Sequence, residues 1–261
     1  MHRFIHVFGH DIAGYGLMIT LGVIVSNILA LIMLKKKKLL VWDFVILEGY
    51  AGLGMIFGAK LLFLFVSRNS IDWSHFFEPE VFSAYMTSGF VFYGGLIGAL
   101  LCALLAKKIH KIDVAALLRS CIFFLPLAHG FGRIGCFLGG CCYGIPYDGW
   151  LAVTFPDDVG IPEPLTRFPV QLVESALLIC LAIVLFILAY RGKDRRTISI
   201  YLIAYAIIRF VLEYLRADAA RGSFLFLSTS QWISILIVIA VPAYLIIQGT
   251  QAKRVTEGAH H

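Results

Sequence analysis

Residues 129–144 read His-Gly-Phe-Gly-Arg-Ile-Gly-Cys-Phe-Leu-Gly-Gly-Cys-Cys-Tyr-Gly and follow directly on an apolar segment. The stretch holds six glycines, three cysteines, one arginine and one histidine in sixteen residues. Glycines let the backbone turn and approach a ligand closely, and a guanidinium among exposed N–H groups is a usual partner of a phosphate or carboxylate. The stretch therefore predicts that an anionic group binds at the end of this segment.

The surrounding chain has the composition of a polytopic membrane protein. Of its 261 residues 60% are hydrophobic, and the mean hydropathy is +0.87, far above the value of a soluble globular domain. We predict an all-α fold with seven transmembrane helices in a single membrane domain, residues 1–257, and interpret residues 258–261 as a cloning remnant. The predicted spans are 12–34, 44–66, 89–106, 114–127, 169–190, 198–215 and 232–247.

The distribution of basic residues predicts how the chain is oriented. The 22 lysines and arginines exceed the 16 acidic residues, but they cluster in short loops between apolar runs, so we expect no nucleic-acid partner. Thirteen lie on the side assigned to the cytoplasm and four on the outer side. Because positive charge accumulates in cytoplasmic loops, we predict an external N-terminus and an internal C-terminus. No cleavable signal peptide is expected, because the lysine run follows the first apolar segment instead of preceding it.

Charged residues within the predicted spans are candidates for the functional site, since charge in a membrane is costly unless it is paired or faces a wet cavity. Arg209, Glu213 and Arg216 follow a helical spacing of i, i+4 and i+7 and share one face of the sixth predicted span. An ion pair of Arg209 with Glu213 is a purely structural alternative. The excess of arginine, together with Arg133 at the same outer depth, favours a phospholipid phosphate as the ligand.

A second group of glycines begins the third predicted span. Gly94, Gly95 and Gly98 follow Tyr93, and the Gly-xxx-Gly spacing of Gly94 and Gly98 is typical of close helix packing. Packing is the preferred interpretation of these two glycines, and Tyr93 could equally be an aromatic residue at the membrane interface.

The three cysteines of the opening stretch allow several interpretations. Cys136, Cys141 and Cys142 could be small packing residues, include a nucleophile activated by Arg133, or bind a metal, in that order of preference. A disulfide from Cys136 to either of the others is also compatible with an outward location. We expect no metal and no cofactor. The other three cysteines are interpreted as small core residues: Cys102, Cys121 and Cys180.

Several motifs together resemble the prolipoprotein diacylglyceryl transferase family. Residues 132–137, followed by Gly144, resemble its Gly-Arg-x-Gly-Asn-Phe motif, and 94–98 resemble its His-Gly-Gly-Leu-Ile-Gly motif. Residues 167–174 are similar to its Pro-Ser-Gln-Leu-Tyr-Glu segment, and 209–216 to its Arg-Phe-x-x-Glu-x-x-Arg segment. Tyr15 with the glycine after it matches an early Tyr-Gly pair. The motifs occur in the family's order over nearly the whole chain.

The resemblance implies an enzyme that transfers a diacylglyceryl group from phosphatidylglycerol to the lipobox cysteine of a secreted prolipoprotein and releases glycerol 1-phosphate. It implies a multi-pass protein of the bacterial cytoplasmic (inner) membrane, with phosphatidylglycerol, membrane lipids and a prolipoprotein signal peptide as partners. Arg133 and Arg209 would be the phosphate clamp, with Glu213 orienting Arg209. The residues expected to bind substrate are Tyr15, Tyr93, Gly94, Gly95, Gly98, Cys136, Cys141, Gly144 and Arg216.

The chain departs from the family motifs at three positions. The motif histidine is Tyr93, the motif asparagine is Cys136, and an expected glutamate is Cys141. A tyrosine is a poor general base near neutral pH, so His129, one helical turn before Arg133, is the candidate base. A structural hydrogen-bonding histidine is the alternative interpretation of this residue. Two alternatives remain open: a paralogue with another acceptor or a covalent Cys141 intermediate, and a lipid-binding protein without catalysis.

Overall fold

The computed structural model describes residues 4–7, 10–87, 89–156, 162–163, 165–217 and 223–258, and most of them are helical. The helices are α1 (Gly14–Lys37), α2 (Val41–Val66), α3 (Pro79–Thr87), α4 (Phe92–His110), α5 (Val114–Cys121), α6 (Phe124–Leu138), α7 (Val170–Tyr190), α8 (Thr197–Glu213) and α9 (Thr229–Gly258), with a short 3-10 helix, Asp194–Arg196, before α8. The strands are β1 (Phe4–Val7), β2 (His10–Ala13), β3 (Val153–Thr154), β4 (Thr166–Arg167), β5 (Ser223–Phe224) and β6 (Leu227–Ser228).

The strands form three small antiparallel ribbons. In the first ribbon Phe4 pairs with Ala13. In the second, Val153 pairs with Arg167, and in the third, β5 pairs with β6. The first ribbon precedes α1 and the other two lie between helices, so the fold keeps its helical character.

The long helices have the length and composition of membrane spans. In the described part of the chain five helices qualify, namely α1, α2, α4, α7 and residues Thr229–Gln248 of α9. A helix satisfies its own backbone hydrogen bonds, as a membrane interior requires. Large apolar side chains on these helices are exposed, among them Ile28, Phe57 and Leu236, as expected of surfaces that face lipid. The chain is therefore a helical membrane protein.

Two of the predicted spans have a different form. Helices α5 and α6 qualify only if they are counted together, and they are bent by 53° relative to each other. Helix α8, the sixth predicted span, has 17 residues, below the length of the other spans. The predicted number of seven spans and the predicted orientation of the termini stay predictions.

The described chain forms two compact units, residues 1–36 with 119–261 and residues 37–118. In the second unit α2 packs on α4 through glycines. A Cβ atom added at Gly98 would lie 2.0 Å from the Gly54 carbonyl oxygen, and one at Gly94 would lie 2.3 Å from that of Gly58. Real Cβ atoms do not come this close, so the packing interpretation of Gly94 and Gly98 is confirmed.

In the first unit α7 packs against both α6 and α8, and α8 packs against α9. The C-terminal part of α7 is apolar, with Leu178 and Leu185 fully buried. The sequence predicts that this end of the helix faces the cytoplasm. Its N-terminal part instead buries polar side chains, including Gln171, Glu174 and Ser175. Buried polar groups need partners, so this end of α7 is the candidate location of the functional site.

The opening stretch is helical for most of its length. The sequence predicts that the span ends at residue 127, but α6 continues to Leu138. A turn follows, in which Gly140 has φ of 69° and Cys142 has φ of 57°. Glycine adopts this left-handed conformation readily, whereas a cysteine does so at a cost.

Candidate active site

The centre of the site is the buried carboxylate of Glu174 on α7, which is 2% exposed. Its Oε2 lies 2.7 Å from Nη2 of Arg133 and 3.7 Å from Nη1 of Arg216. Its Oε1 lies 3.8 Å from Nε2 of His129. The Glu174 carboxylate of α7 thus contacts side chains of α6 and of the segment after α8.

His129 and Arg133 lie one turn apart on α6 and both reach Glu174, which confirms the prediction that they share a helix face. Their accessibility differs, because the His129 side chain is 35% exposed and that of Arg133 is 8% exposed. His129 is therefore open to a substrate, while Arg133 is held by the protein.

Arg209 and Glu213 form a second ion pair, between Nη2 and Oε2, one turn apart on α8. The same Nη2 donates to Oγ of Ser230 at 3.4 Å, at the start of α9. The charges of Arg209, Arg133, Arg216 and Glu174 all act on the His129 imidazole. Both ion pairs therefore lie within electrostatic reach of the same imidazole.

The described cluster keeps positive charge and unused hydrogen-bond donors. Three guanidinium groups, of Arg133, Arg209 and Arg216, face two carboxylates, of Glu174 and Glu213. Arg133 Nε and Arg209 Nη1 are buried and have no hydrogen-bond partner among the described residues. Leaving a buried donor unpaired costs roughly 1–3 kcal/mol, and more for a charged group. An anion bound between the two arginines would remove both costs.

Arg216 reaches the cluster by a route that the sequence does not predict. The i, i+4, i+7 spacing places Arg216 on the face of a helix that continues to residue 215, but α8 ends at Glu213. Arg216 instead pairs with Gly144 in an isolated antiparallel bridge, and its side chain is 5% exposed. The predicted helical stripe is wrong at this residue.

Gly144 is required by close backbone packing. A Cβ atom there would lie 2.3 Å from the Phe168 carbonyl oxygen and 2.9 Å from that of Leu215. Its own carbonyl accepts a hydrogen bond from Arg167 Nη1 at 3.2 Å. Gly144 thus fixes the segment that carries Arg216, and its contact with substrate stays a prediction.

Tyr15, at the start of α1, lies beside the opening stretch. A Cβ atom added at Gly135 would lie 3.1 Å from the Tyr15 ring and 3.1 Å from its carbonyl oxygen. The Tyr15 side chain is 47% exposed, so it lines the surface next to Arg133.

The three cysteines of the opening stretch form a compact cluster, with the Sγ atoms of Cys136, Cys141 and Cys142 within 4.8 Å of one another. Arg133 Nη1 lies 3.9 Å from Cys136 Sγ. Hydrogen bonds from the other two thiols, together with the charges of Arg216 and Arg133, lower the pKa of Cys142. All six cysteines lie in the described ranges and are free thiols. The thiol cluster is thus continuous with the arginine cluster.

The remaining predicted residues, Tyr93, Gly94, Gly95 and Gly98, lie in the unit of residues 37–118. Tyr93 is 38% exposed and its ring contacts Phe92 edge to face. A Cβ atom at Gly95 would lie 3.1 Å from the Met55 side chain. These glycines serve packing within their unit, and their part in substrate binding stays a prediction.

Comparison with known proteins assigns the chain to a family. The family described as prolipoprotein diacylglyceryl transferase matches residues 3–247. The chain belongs to this family. A phosphatidylglycerol–prolipoprotein diacylglyceryl transferase of Clostridium tetani is 38% identical over 238 residues, 89% of this chain and 92% of its own. A second transferase of that name from Clostridium perfringens is 36% identical over 241 residues, 89% and 90% of the two chains. The corresponding protein of Campylobacter hominis is 29% identical over 253 residues, 92% and 88% of the two chains.

Within this diacylglyceryl transferase the sequence reasoning missed the role of Glu174. From sequence, Glu174 is recognisable only as the last residue of the family-like segment 167–174. A signal was available, since Glu174 stands four residues inside an apolar span, where a carboxylate needs a cationic partner. Counting every charge within the spans would have paired Glu174 with the surplus arginines.

Proposed function

We propose that this chain transfers the diacylglyceryl group of phosphatidylglycerol to the lipobox cysteine thiol of a prolipoprotein, with release of glycerol 1-phosphate. Family membership supports the reaction. The arginines on α6 and α8 are only partly neutralised by carboxylates, and this supports a lipid donor with an anionic phosphate. The single observation that carries the proposal is that Arg133 Nε and Arg209 Nη1 are buried without a hydrogen-bond partner among the described residues.

The phosphate of the lipid binds between Arg133 and Arg209 in this proposal. Glu174 and Glu213 hold the two guanidiniums in place, and Ser230 steadies Arg209. The prolipoprotein thiolate attacks the glyceryl carbon, the bond from that carbon to the phosphate oxygen breaks, and charge grows on the departing phosphate. Preorganised cations stabilise that charge without having to move.

His129 accepts the thiol proton and passes it to the leaving phosphate or to water. The imidazole is partly exposed and contacts Glu174, whereas Glu174 is buried and shared with Arg133. The exposed group is therefore the base and the buried one positions it, as in other pairs of a histidine with a carboxylate.

We also propose seven spans in the bacterial cytoplasmic membrane, with the N-terminus outside and the C-terminus inside. The charge bias of the loops supports this orientation. The site then opens to the outer leaflet, where a secreted precursor and the lipid headgroup meet. Membrane lipid and a signal peptide are the partners.

The experiment incubates the purified chain with phosphatidylglycerol, labelled in its glycerol phosphate or in its acyl chains, and a lipobox peptide. We expect release of labelled glycerol phosphate and acyl label on the peptide, and loss of both with Arg133→Ala. Arg68→Ala is the matched control, because Arg68 is exposed in the other unit. Acyl label on the chain itself would point to a covalent Cys141 intermediate, and no release with any acceptor would contradict the proposal.

A further inference from the structure

The geometry points to a zinc site in the turn after α6, at which Cys136, Cys141 and Cys142 bind one Zn²⁺ and leave its fourth position for the acceptor thiol. The zinc site itself rests only on the geometry of residues in this chain. The role of the acceptor thiol rests on the proposed function.

The three sulfur atoms already lie close to the arrangement that zinc requires. All three lie within 4.8 Å of one another. Tetrahedral zinc with Zn–S bonds of ~2.3 Å places sulfurs about 3.8 Å apart, so binding needs a contraction of at most about 1 Å. Three protein ligands with an open fourth position is the pattern of catalytic zinc sites, whereas structural sites use four.

The backbone of the turn is fixed in the conformation that brings these thiols together. Cys142 has φ of 57°, and a non-glycine residue held there costs of order 1 kcal/mol or more. The Cys141 N–H donates to the Cys136 carbonyl at 3.1 Å, and the Cys141 carbonyl accepts from Gln171 Nε2 at 2.8 Å. Gln171 is fully buried on α7. The turn is thus held from within and from the neighbouring helix, as supporting residues hold ligands at metal sites.

The surrounding charge suits a zinc thiolate. Three thiolates and one Zn²⁺ carry a net charge of −1, and Arg133 Nη1 lies 3.9 Å from Cys136 Sγ. The charge of Arg216 also acts on Cys142. The surplus positive charge of the arginine cluster would thereby be shared between the zinc site and the lipid phosphate.

Zinc at this position supplies what the reaction needs from its acceptor. The peptide thiol binds the ion as a thiolate and its proton goes to His129 or water. The thiolate then attacks the glyceryl carbon, the carbon–oxygen bond to phosphate breaks, and the phosphate leaves with the electron pair and takes up the proton. Because Arg133 contacts Cys136, the thiolate and the phosphate would lie on neighbouring sides of one guanidinium.

The test loads the full chain, reduced and in detergent, with Zn²⁺, removes excess metal with a weak chelator, and measures zinc content per chain. We expect one zinc in the wild type and in Cys180→Ser, an exposed thiol of α7 outside the cluster. Cys136→Ser, Cys141→Ser and Cys142→Ser each remove a ligand, so each should lower zinc affinity by more than the roughly 10–100-fold that the loss of a supporting outer-shell group costs. Every variant keeps all of its histidines, so any zinc that histidines bind adds equally to the zinc content of each variant.

A second measurement replaces zinc with Co²⁺ and follows the thiolate-to-metal absorption. Adding a lipobox peptide should change the spectrum, and a peptide with serine in place of cysteine should not. Zinc content that is equal in the wild type and the three variants, or no zinc on a chain whose six thiols titrate as free, overturns the site. If the metal-free wild type transfers the diacylglyceryl group, the inference that zinc binds the acceptor thiol is overturned and the proposed function stays intact. Zinc bound by the three cysteines without transfer to any thiol supports the site and contradicts both the acceptor role and the proposed function.

Discussion

Glu174 is the residue on which the geometry of the site depends. Its carboxylate is 2% exposed and contacts Arg133, Arg216 and His129 from one position. A buried ion pair contributes little net stability compared with apolar residues, but removing one partner leaves an uncompensated charge. Glu174 therefore matters both for the fold and for the direction in which Arg133 and His129 point.

Glu174→Gln keeps the size of the side chain and removes its charge. We expect a loss of about 3–5 kcal/mol in stability, the usual cost of breaking a buried pair, and a large loss of transfer. Thermal unfolding in detergent and the glycerol phosphate assay measure the two effects. Glu80→Gln, an exposed carboxylate at the start of α3, is the control. A Glu174→Gln chain as stable and active as this control would show that Glu174 is not the centre of the site.

His129→Ala should lower the turnover rate by about 10²–10⁴-fold, the usual contribution of a general base. The apparent affinity for phosphatidylglycerol should change little, since the clamp residues remain. His75→Ala is the control, because His75 is exposed in the loop after α2. Initial rates at varied lipid concentration separate the two parameters, and a fully active His129→Ala would remove His129 from the mechanism.

At the scale of single residues, sequence predicted most of the arginine cluster. Arg133, Arg209 and Glu213 were identified because charge inside a span demands a partner, and the spacing of His129 from Arg133 placed them on one face. Glu174 was missed because the partner of Arg133 lies 41 positions away on another helix, a pairing that no local spacing reveals. Metal binding is the least preferred interpretation of the three cysteines from sequence, since sequence does not show that the turn with its left-handed Cys142 brings the three sulfurs together.

At the scale of elements, the helices follow apolar composition, whereas glycines do not by themselves mark where a helix ends. The fourth predicted span ends at residue 127, but helix α6 continues through His129 and the glycines to Leu138. A helix can carry those residues when its neighbours cover them, and Gly130 lies against Ile179 of α7. Glycine that permits close packing and glycine that ends a helix look alike in sequence.

Gly98→Ala tests the packing of α2 on α4. The added Cβ would meet the Gly54 carbonyl at 2.0 Å, so the helices must move apart and the chain should melt at a clearly lower temperature. Gly52→Ala on α2 is the matched control, since nothing lies within 4 Å of its Cβ position. Alanine favours a helix over glycine by up to about 1 kcal/mol, so the control should be neutral or slightly stabilising. Equal melting temperatures for the two variants would contradict the packing described here.

At the scale of the whole molecule, composition was sufficient to predict a helical membrane protein, whereas the orientation inferred from the loop charges stays a prediction. The number of spans is harder to predict, because α8 is short and polar at its end and α5 and α6 are bent. Bends and short helices depend on the neighbours that cover them, which the local sequence does not show.

The orientation is tested by reporter fusions. A fluorescent protein fused after residue 247 should fluoresce, as it does in the cytoplasm, and a phosphatase inserted near residue 72 should be active, as it is outside. The inverse pair of fusions should be inactive. An active phosphatase after residue 247 would contradict the proposed topology.

The central claim is that Arg133 and Arg209 hold one phosphate between two helices, and a double-mutant cycle on phosphatidylglycerol turnover tests it most directly. Arg133→Ala and Arg209→Ala should each reduce kcat/KM by about 10²–10³-fold, as the loss of one charge-stabilising group does. If both guanidiniums act on the same phosphate, the double variant should be little worse than either single variant. Fully additive losses would mean that the two arginines act independently and would contradict the account.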